Sequence, residues 1–120
     1  MSLTSFLDRD KKRGNSSYRR SKKQEKEIAT RIGGRRTAAS GAKDEKGDVR
    51  KKGVLRIEAK TTKHKSFSVT LEMIEKIEEA ALSCNELPAI IIEFNDGRGR
   101  KLKEIAIIPS YVLGELCERS

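Results

Sequence analysis

The stretch that decides the fold spans residues 48–61 and reads DVRKKGVLRIEAKT. Gly53 divides it into two short runs with β-branched and aliphatic residues, a pattern that predicts a β-hairpin with a tight turn in the middle. Side chains two residues apart on a strand point to the same face, so Glu58 and Lys60 should project together. The hairpin would bring Asp48 toward them from the partner strand.

Elements predicted on both sides of the hairpin extend it into a larger sheet. Ser21 is a predicted N-cap for a first helix that ends at about Ile32, before two glycines. The helix after Thr70 has a regularly spaced apolar face, and the apolar run after Pro88 suits a buried strand. The order α-β-β-β-α-β-β-α predicts a mixed β-sheet flanked by helices. The other predicted elements are an extended segment 35–40, helix 71–83, strands 89–94 and 103–108, and helix 110–116.

Composition adds a domain boundary and a class of partner. The 120 residues suit one small domain, which we expect at residues 23–120, after a flexible basic arm at residues 1–22. Residues 1–65 carry 21 basic and 8 acidic residues, whereas residues 66–120 carry 6 and 10. A positive first half predicts a polyanionic partner, and nucleic acid is the first candidate. A basic tail that only aids solubility is the alternative.

Two negative expectations concern location. No stretch approaches the roughly 18 apolar residues of a membrane span, and the first residues lack the apolar core of a secretory signal. Cys84 and Cys117 have neither disulfide-framework nor metal-ligand spacing, so we interpret both as reduced packing residues. These features predict a cytoplasmic protein without a membrane partner.

The acidic and basic groups of the hairpin suggest a specific chemistry. Asp48 and Glu58 side by side repel each other unless they share a cation, and Mg²⁺ is a hard ion that prefers carboxylate oxygens. Such an ion can polarise a phosphoryl oxygen and lower the pKa of a bound water. Lys60 could then orient that water or offset charge on the phosphate. The alternative is an ordinary solvent-facing strand side, since this spacing often arises by chance.

The Gly-Asp…Glu-x-Lys pattern resembles the PD-(D/E)XK nuclease superfamily, and more narrowly its archaeal-type Holliday-junction resolvases. The segment EKEIATRI at residues 25–32 resembles the first helix of those enzymes, and RTAASG at residues 36–41 resembles their arginine-x-x-x-serine-glycine segment. The resemblance covers residues 20–117, although the residue before Asp48 is Gly47 rather than proline. It implies a restriction-endonuclease-like α/β fold and a homodimer that makes paired nicks in four-way DNA junctions.

The resemblance also implies roles for individual residues. Glu25, with Glu27 as its replacement candidate, would join Asp48 and Glu58 in binding Mg²⁺, with Mn²⁺ as a substitute. The implied catalytic residues are Glu25, Ser40, Asp48, Glu58 and Lys60. The implied or expected DNA-binding residues are Arg19, Arg20, Arg35, Arg36, Ser40, Lys63 and Lys65.

Three questions stay open at this level. A nicking or flap nuclease of the same fold would carry the same residues, and a basic DNA-binding module without catalysis would explain the charge. His64, the lone histidine, lies in a basic polar loop and is expected to be exposed. A phage-encoded chain would act in the cytoplasm of its host.

Overall fold

A computed structural model of the chain describes residues 19–37 and 47–118. They form one five-stranded mixed sheet with the order β1-β2-β3-β4-β5, flanked by three helices, so the predicted architecture is confirmed. The described part of the first helix, α1, covers residues 19–32. The remaining elements are β1 (Arg35–Arg36), β2 (Val49–Lys51), β3 (Leu55–Thr62), α2 (Leu71–Leu82), β4 (Leu87–Asn95), β5 (Lys101–Ile107) and α3 (Ser110–Glu118).

The predicted hairpin is formed by β2 and β3. The two strands pair antiparallel, with Val49 opposite Ile57 and Lys51 opposite Leu55. Gly53 adopts a φ of 75°, a left-handed conformation that glycine reaches without the Cβ penalty, and this closes the turn. β1 adds to the outer edge of β2, so the hairpin side of the sheet is entirely antiparallel.

The parallel part of the sheet lies at its centre. β3 and β4 pair in parallel over their whole length, and α2 is the crossover between them. α2 begins just after Thr70 as predicted, and Thr70 is its N-cap, since the Thr70 hydroxyl accepts a hydrogen bond from the Met73 amide. β4 is almost entirely buried because β3 and β5 flank it and helices cover its faces.

Pro88 lies inside β4 rather than at the end of the preceding connection. The Leu87 amide donates to the Val54 carbonyl, so alternation directs the nitrogen of Pro88 toward the β5 side. β5 pairs with β4 only from Ile90 onward. The missing N–H of proline therefore leaves no ladder hydrogen bond unmade.

The two faces of the sheet carry separate cores. Ile28 and Ala29 of α1 pack with Ile57 and Ile91 on one face. Ile77 of α2 packs with the β4 isoleucines Ile90 and Ile92 on the other. Alternation along β4 thus sends successive side chains to opposite helices.

The C-terminal helix packs less deeply. Val112 is its buried residue, and the Tyr111 hydroxyl donates to Glu78 of α2 at 2.7 Å. Several large apolar side chains on α3 and on β5 remain exposed. None of the helices in the described ranges is long and apolar enough to cross a membrane.

The start of α1 corrects one prediction. Residues 19–22 are already helical, so Ser21 lies within the helix and is not its N-cap. The predicted arm therefore overlaps the folded domain by four residues, and its residues 1–18 lie outside the described part of the chain. Tertiary contacts explain the earlier helix: Arg20 forms an ion pair with buried Glu93 of β4, which attaches this turn to the sheet.

Candidate active site

The structure brings together the three hairpin residues that the sequence singles out. The Asp48 amide donates to the Ile57 carbonyl at 2.8 Å, which extends the β2–β3 ladder by one residue. Asp48 Oδ2 accepts a hydrogen bond from the Ala59 amide at 2.8 Å, so its carboxylate is held against β3. Lys60 Nζ lies 3.3 Å from Glu58 Oε1. Both side chains remain partly exposed, at 42% for Lys60 and 28% for Glu58, and can therefore meet a ligand.

Gly47 explains why proline does not precede Asp48 in this chain. Its φ is 84°, whereas a proline ring holds φ near −65°. A Cβ at this position would lie 3.1 Å from Arg56 Cδ and 3.2 Å from Ile77 Cδ1. Thr37, just after β1, fixes the same turn, because its hydroxyl donates to the Gly47 carbonyl at 2.6 Å. The turn that aims Asp48 at β3 thus depends on glycine.

Glu25 reaches this cluster from α1, and Glu27 does not. Arg36 Nε lies 3.4 Å from Glu25 Oε1, and the Asp48 charge raises the Glu25 pKa. Glu27 instead approaches Lys101 of β5, with 3.9 Å between Oε2 and Nζ. Because residues two apart on a helix point in different directions, only one of the two can face the hairpin. Of the two candidates, Glu25 is the one whose charge interacts with Asp48.

The surroundings of the site raise the pKa values of two of its carboxyl groups. Burial raises the pKa of Glu58 above its ordinary value of 4.5, and the neighbouring Asp48 carboxyl raises it further, against the opposing effect of Lys60. Burial and then Asp48 also raise the pKa of Glu25, opposed by Lys22 and Arg36. Asp48 is the shared neighbour of both glutamates. Such a cluster favours either a proton or a cation from solution.

The donor set of this cluster fits a divalent cation. Asp48, Glu58 and Glu25 carry carboxylate oxygens, the ligand atoms that hard cations such as Mg²⁺ prefer. One oxygen of Asp48 is engaged by the Ala59 amide, which would orient the other. Across residues 19–37 and 47–118, no three His, Cys, Asp or Glu side chains already stand in metal-ligand geometry. Asp48 and Glu58 are the residues that would hold Mg²⁺, with Glu25 as the third candidate.

Gln24 is a residue of this region that sequence reasoning missed. It is 1% exposed, and its Nε2 donates to the Lys60 carbonyl at 2.9 Å. The bond ties α1 to β3 between the Glu25 and Lys60 side chains. The only sequence signal was its place one turn before Ile28, on the buried edge of the helix.

The predicted DNA-binding residues lie in different environments. Arg20 makes a two-pronged ion pair with Glu93, which is fully buried, and its Nη1 donates to the Gly99 carbonyl at 3.3 Å. Its described contacts are therefore internal. Arg35 is exposed on β1, next to Arg36. Ser40 lies outside the described residues.

The remaining basic residues meet at one end of the sheet. Arg19 and Lys63 line a cleft of about 890 Å³ between α1 and the loops that follow β3 and β4. His64 is exposed as expected and lines the same cleft. Lys65 is exposed in the loop beyond it. Lys23 and Arg98, which the sequence did not single out, also line this cleft.

Comparisons with protein-family models, with curated proteins and with solved structures find no match to this chain.

Proposed function

We propose that the chain is a metal-dependent endonuclease that hydrolyses DNA phosphodiesters. Its proposed active site consists of Asp48, Glu58 and Lys60. The observation that carries the proposal is the contact between two carboxyl groups, one of raised pKa, and a lysine ammonium on a partly exposed strand face. Perturbed ionisable groups that lie together are candidates for a reaction site. The basic first half of the chain supports a polyanionic substrate.

Each side chain has a distinct task in this proposal. Lys60 Nζ, held near Glu58, would orient the attacking water or stabilise the charge that develops on the phosphate. Arg36 lies beside Glu25 and would bind a phosphate oxygen through guanidinium nitrogens that Glu25 leaves available. Asp48 keeps its orientation through the Ala59 amide.

The proposed cofactor is Mg²⁺, with Mn²⁺ as a substitute. Asp48 and Glu58 would bind it, and Glu25 would complete or support its shell. When bound, it supplies Lewis-acid chemistry: charge neutralisation at the phosphoryl group and a more acidic water. Its charge would also counteract the raised pKa values of Glu58 and Glu25, because a nearby cation favours the ionised carboxylate.

The finer proposal is a Holliday-junction resolvase that acts as a homodimer. It rests on the resemblance of residues 25–61, because nothing in composition identifies four-way DNA. A symmetric junction needs two cuts, which a two-fold dimer provides. Exposed apolar side chains on β5 and α3 support a second copy as the partner, and sedimentation over a range of concentrations tests it. These side chains are Leu102, Ile105, Leu113 and Leu116.

The decisive experiment is cleavage of a synthetic four-way junction by the wild type and by Asp48→Asn, with Mg²⁺ or with EDTA. We expect symmetric paired nicks that require Mg²⁺ and that fall at least about 1,000-fold in the variant. Lys60→Ala should lose cleavage while it retains binding, with Lys52→Ala as the exposed control. Nicks on linear or nicked duplex alone would replace the resolvase with another nuclease of this fold.

A binding module without catalysis is the second candidate. The observation that favours it is that ion pairs to Arg36 and Lys60 partly satisfy Glu25 and Glu58 without any metal. Under this alternative, Asp48→Asn and Glu58→Gln would change no measurable activity. Cutting by the wild type, together with intact binding but no cutting by both variants, would exclude it.

A further inference from the structure

The basic cleft at the end of the sheet is built by three segments that are distant in sequence. They are the first turns of α1, the end of β3 with the loop after it, and the loop that follows β4. The exposed cations of the cleft are Arg19, Lys23, Lys63 and Arg98, and Arg20, which pairs with Glu93, also lines it. In the part of the chain that the structure describes, Lys23 and Lys63 form no ion pair. Their charges are therefore available to a ligand.

Internal contacts hold the loop after β4 in the position that the cleft requires. Asp96 Oδ1 accepts hydrogen bonds from the Arg98 amide at 2.7 Å and the Arg100 amide at 3.1 Å. Arg20 joins this loop to buried Glu93 through the Gly99 carbonyl. A Cβ on Gly97 would lie 3.6 Å from Lys63 Cβ, so the two loops are in contact. The cleft is thus a supported part of the fold.

The lining of the cleft indicates what it binds. Lysine and arginine charges stand beside the hydroxyls of Thr61 and Thr62, and no aromatic side chain other than the His64 imidazole lines it among the described residues. Phosphate contacts need cations and hydrogen-bond donors, whereas binding of bases needs stacking platforms. The cleft therefore fits a phosphodiester backbone and not the bases.

The position of the cleft relates it to the candidate active site. Lys63 is the third residue after Lys60 and lies just beyond the end of β3, so the cleft begins a few residues from the candidate active site. We propose that the cleft binds the backbone of a single DNA strand, next to the phosphate at Lys60, through Lys23, Lys63 and Arg98. The proposal rests on the proposed nuclease function.

The test measures DNA binding separately from cleavage. Asp48→Asn protein binds a labelled junction, and single strands of two unrelated sequences, at a series of salt concentrations. The variant adds Lys23→Ala, Lys63→Ala and Arg98→Ala, and the matched control adds Lys51→Ala, Lys52→Ala and Lys103→Ala. Both triple variants remove three positive charges at exposed positions. Melting temperatures verify that both are folded.

We expect the cleft variant to reduce the slope of log affinity against log salt by about 2–3 for every probe, because each lost phosphate contact contributes about 0.7–0.9. The control should change the slope by less than about 1. Equal losses in both variants, or a loss confined to one base sequence, would overturn the proposal. Loss of binding to anionic vesicles of phosphatidylserine, with DNA binding intact, would also overturn it and would indicate a membrane surface.

Failure of the cleft and failure of the nuclease are distinguishable. For cleavage, the three cleft substitutions are made in protein that keeps Asp48. This protein should keep kcat within about threefold and raise KM at least tenfold, since the substitutions remove binding and not chemistry. An unchanged KM would overturn the proposed DNA-binding role of the cleft and leave the nuclease proposal intact. Absence of Mg²⁺-dependent cleavage by the wild type overturns the nuclease, while the binding measurement still reports on the cleft.

Discussion

Glu58 on β3 is partly buried, Glu86 just before β4 is buried, and the surroundings of the two glutamates shift their pKa values in opposite directions. Burial alone raises the pKa of Glu86, but hydrogen bonds from Arg50, the Gly53 amide and Arg56 outweigh it and lower the pKa. Glu58 has Lys60 as its cation and Asp48 as a competing carboxyl, so its pKa is raised. The first arrangement is internally complete, and the second still favours a cation or a proton. The completed ion-pair cluster and the proposed catalytic cluster thus lie at different ends of the hairpin.

The largest expected effect tests the completed cluster. Glu86 is fully buried at its side chain, and Arg56 beside it is 3% exposed, so Glu86→Gln removes the carboxylate charge that faces this buried guanidinium. We expect the free energy of unfolding to fall by about 3–5 kcal/mol, measured by urea denaturation. The control is Glu72→Gln, which breaks an exposed pair with Lys76 and should change stability by less than about 1 kcal/mol. If the free energy of unfolding of Glu86→Gln fell by less than about 1 kcal/mol, the buried cluster would stabilise the fold no more than an exposed ion pair does.

A smaller effect is expected at Gly47, which lies between the two clusters. An alanine there meets a positive φ and contacts of 3.1–3.2 Å with Arg56 and Ile77. We expect Gly47→Ala to lower the free energy of unfolding by about 2 kcal/mol, of which about 1 is backbone strain. Gly53→Ala is the matched control, because Gly53 has a φ of 75° but open space around a Cβ. Equal losses in the two variants would show that packing at Gly47 contributes nothing.

The two clusters also show which features of the structure local sequence patterns can predict. Strand alternation was enough to place Glu58 and Lys60 on one face, because both residues lie on a single strand. The choice of Glu25 over Glu27 was open, although Glu25 lies one turn before buried Ile28 and so on the edge nearest the sheet. The ion pair of Arg20 and Glu93 joins residues 73 positions apart, which no local pattern encodes. Local periodicity therefore predicted the elements and the hairpin site, whereas the cleft and the start of α1 depend on tertiary pairs.

The smallest expected effect distinguishes the two glutamates by pH. A carboxyl whose folded pKa is raised adds stability below its ordinary value of 4.5, and that stability is lost as pH rises through the folded pKa. In EDTA, Glu58→Gln should therefore melt a few degrees above the wild type at pH 7, and the difference should vanish near pH 4. Glu86, whose pKa is lowered, behaves oppositely: its contribution is present at pH 7 and is lost as pH falls through its folded pKa.

Mg²⁺ should reduce the difference in melting temperature between Glu58→Gln and the wild type, because it stabilises the wild type more than the variant. A variant that melts below the wild type at pH 7 in EDTA would mean that Glu58 is a structural residue, satisfied by Lys60 as Glu86 is by its arginines.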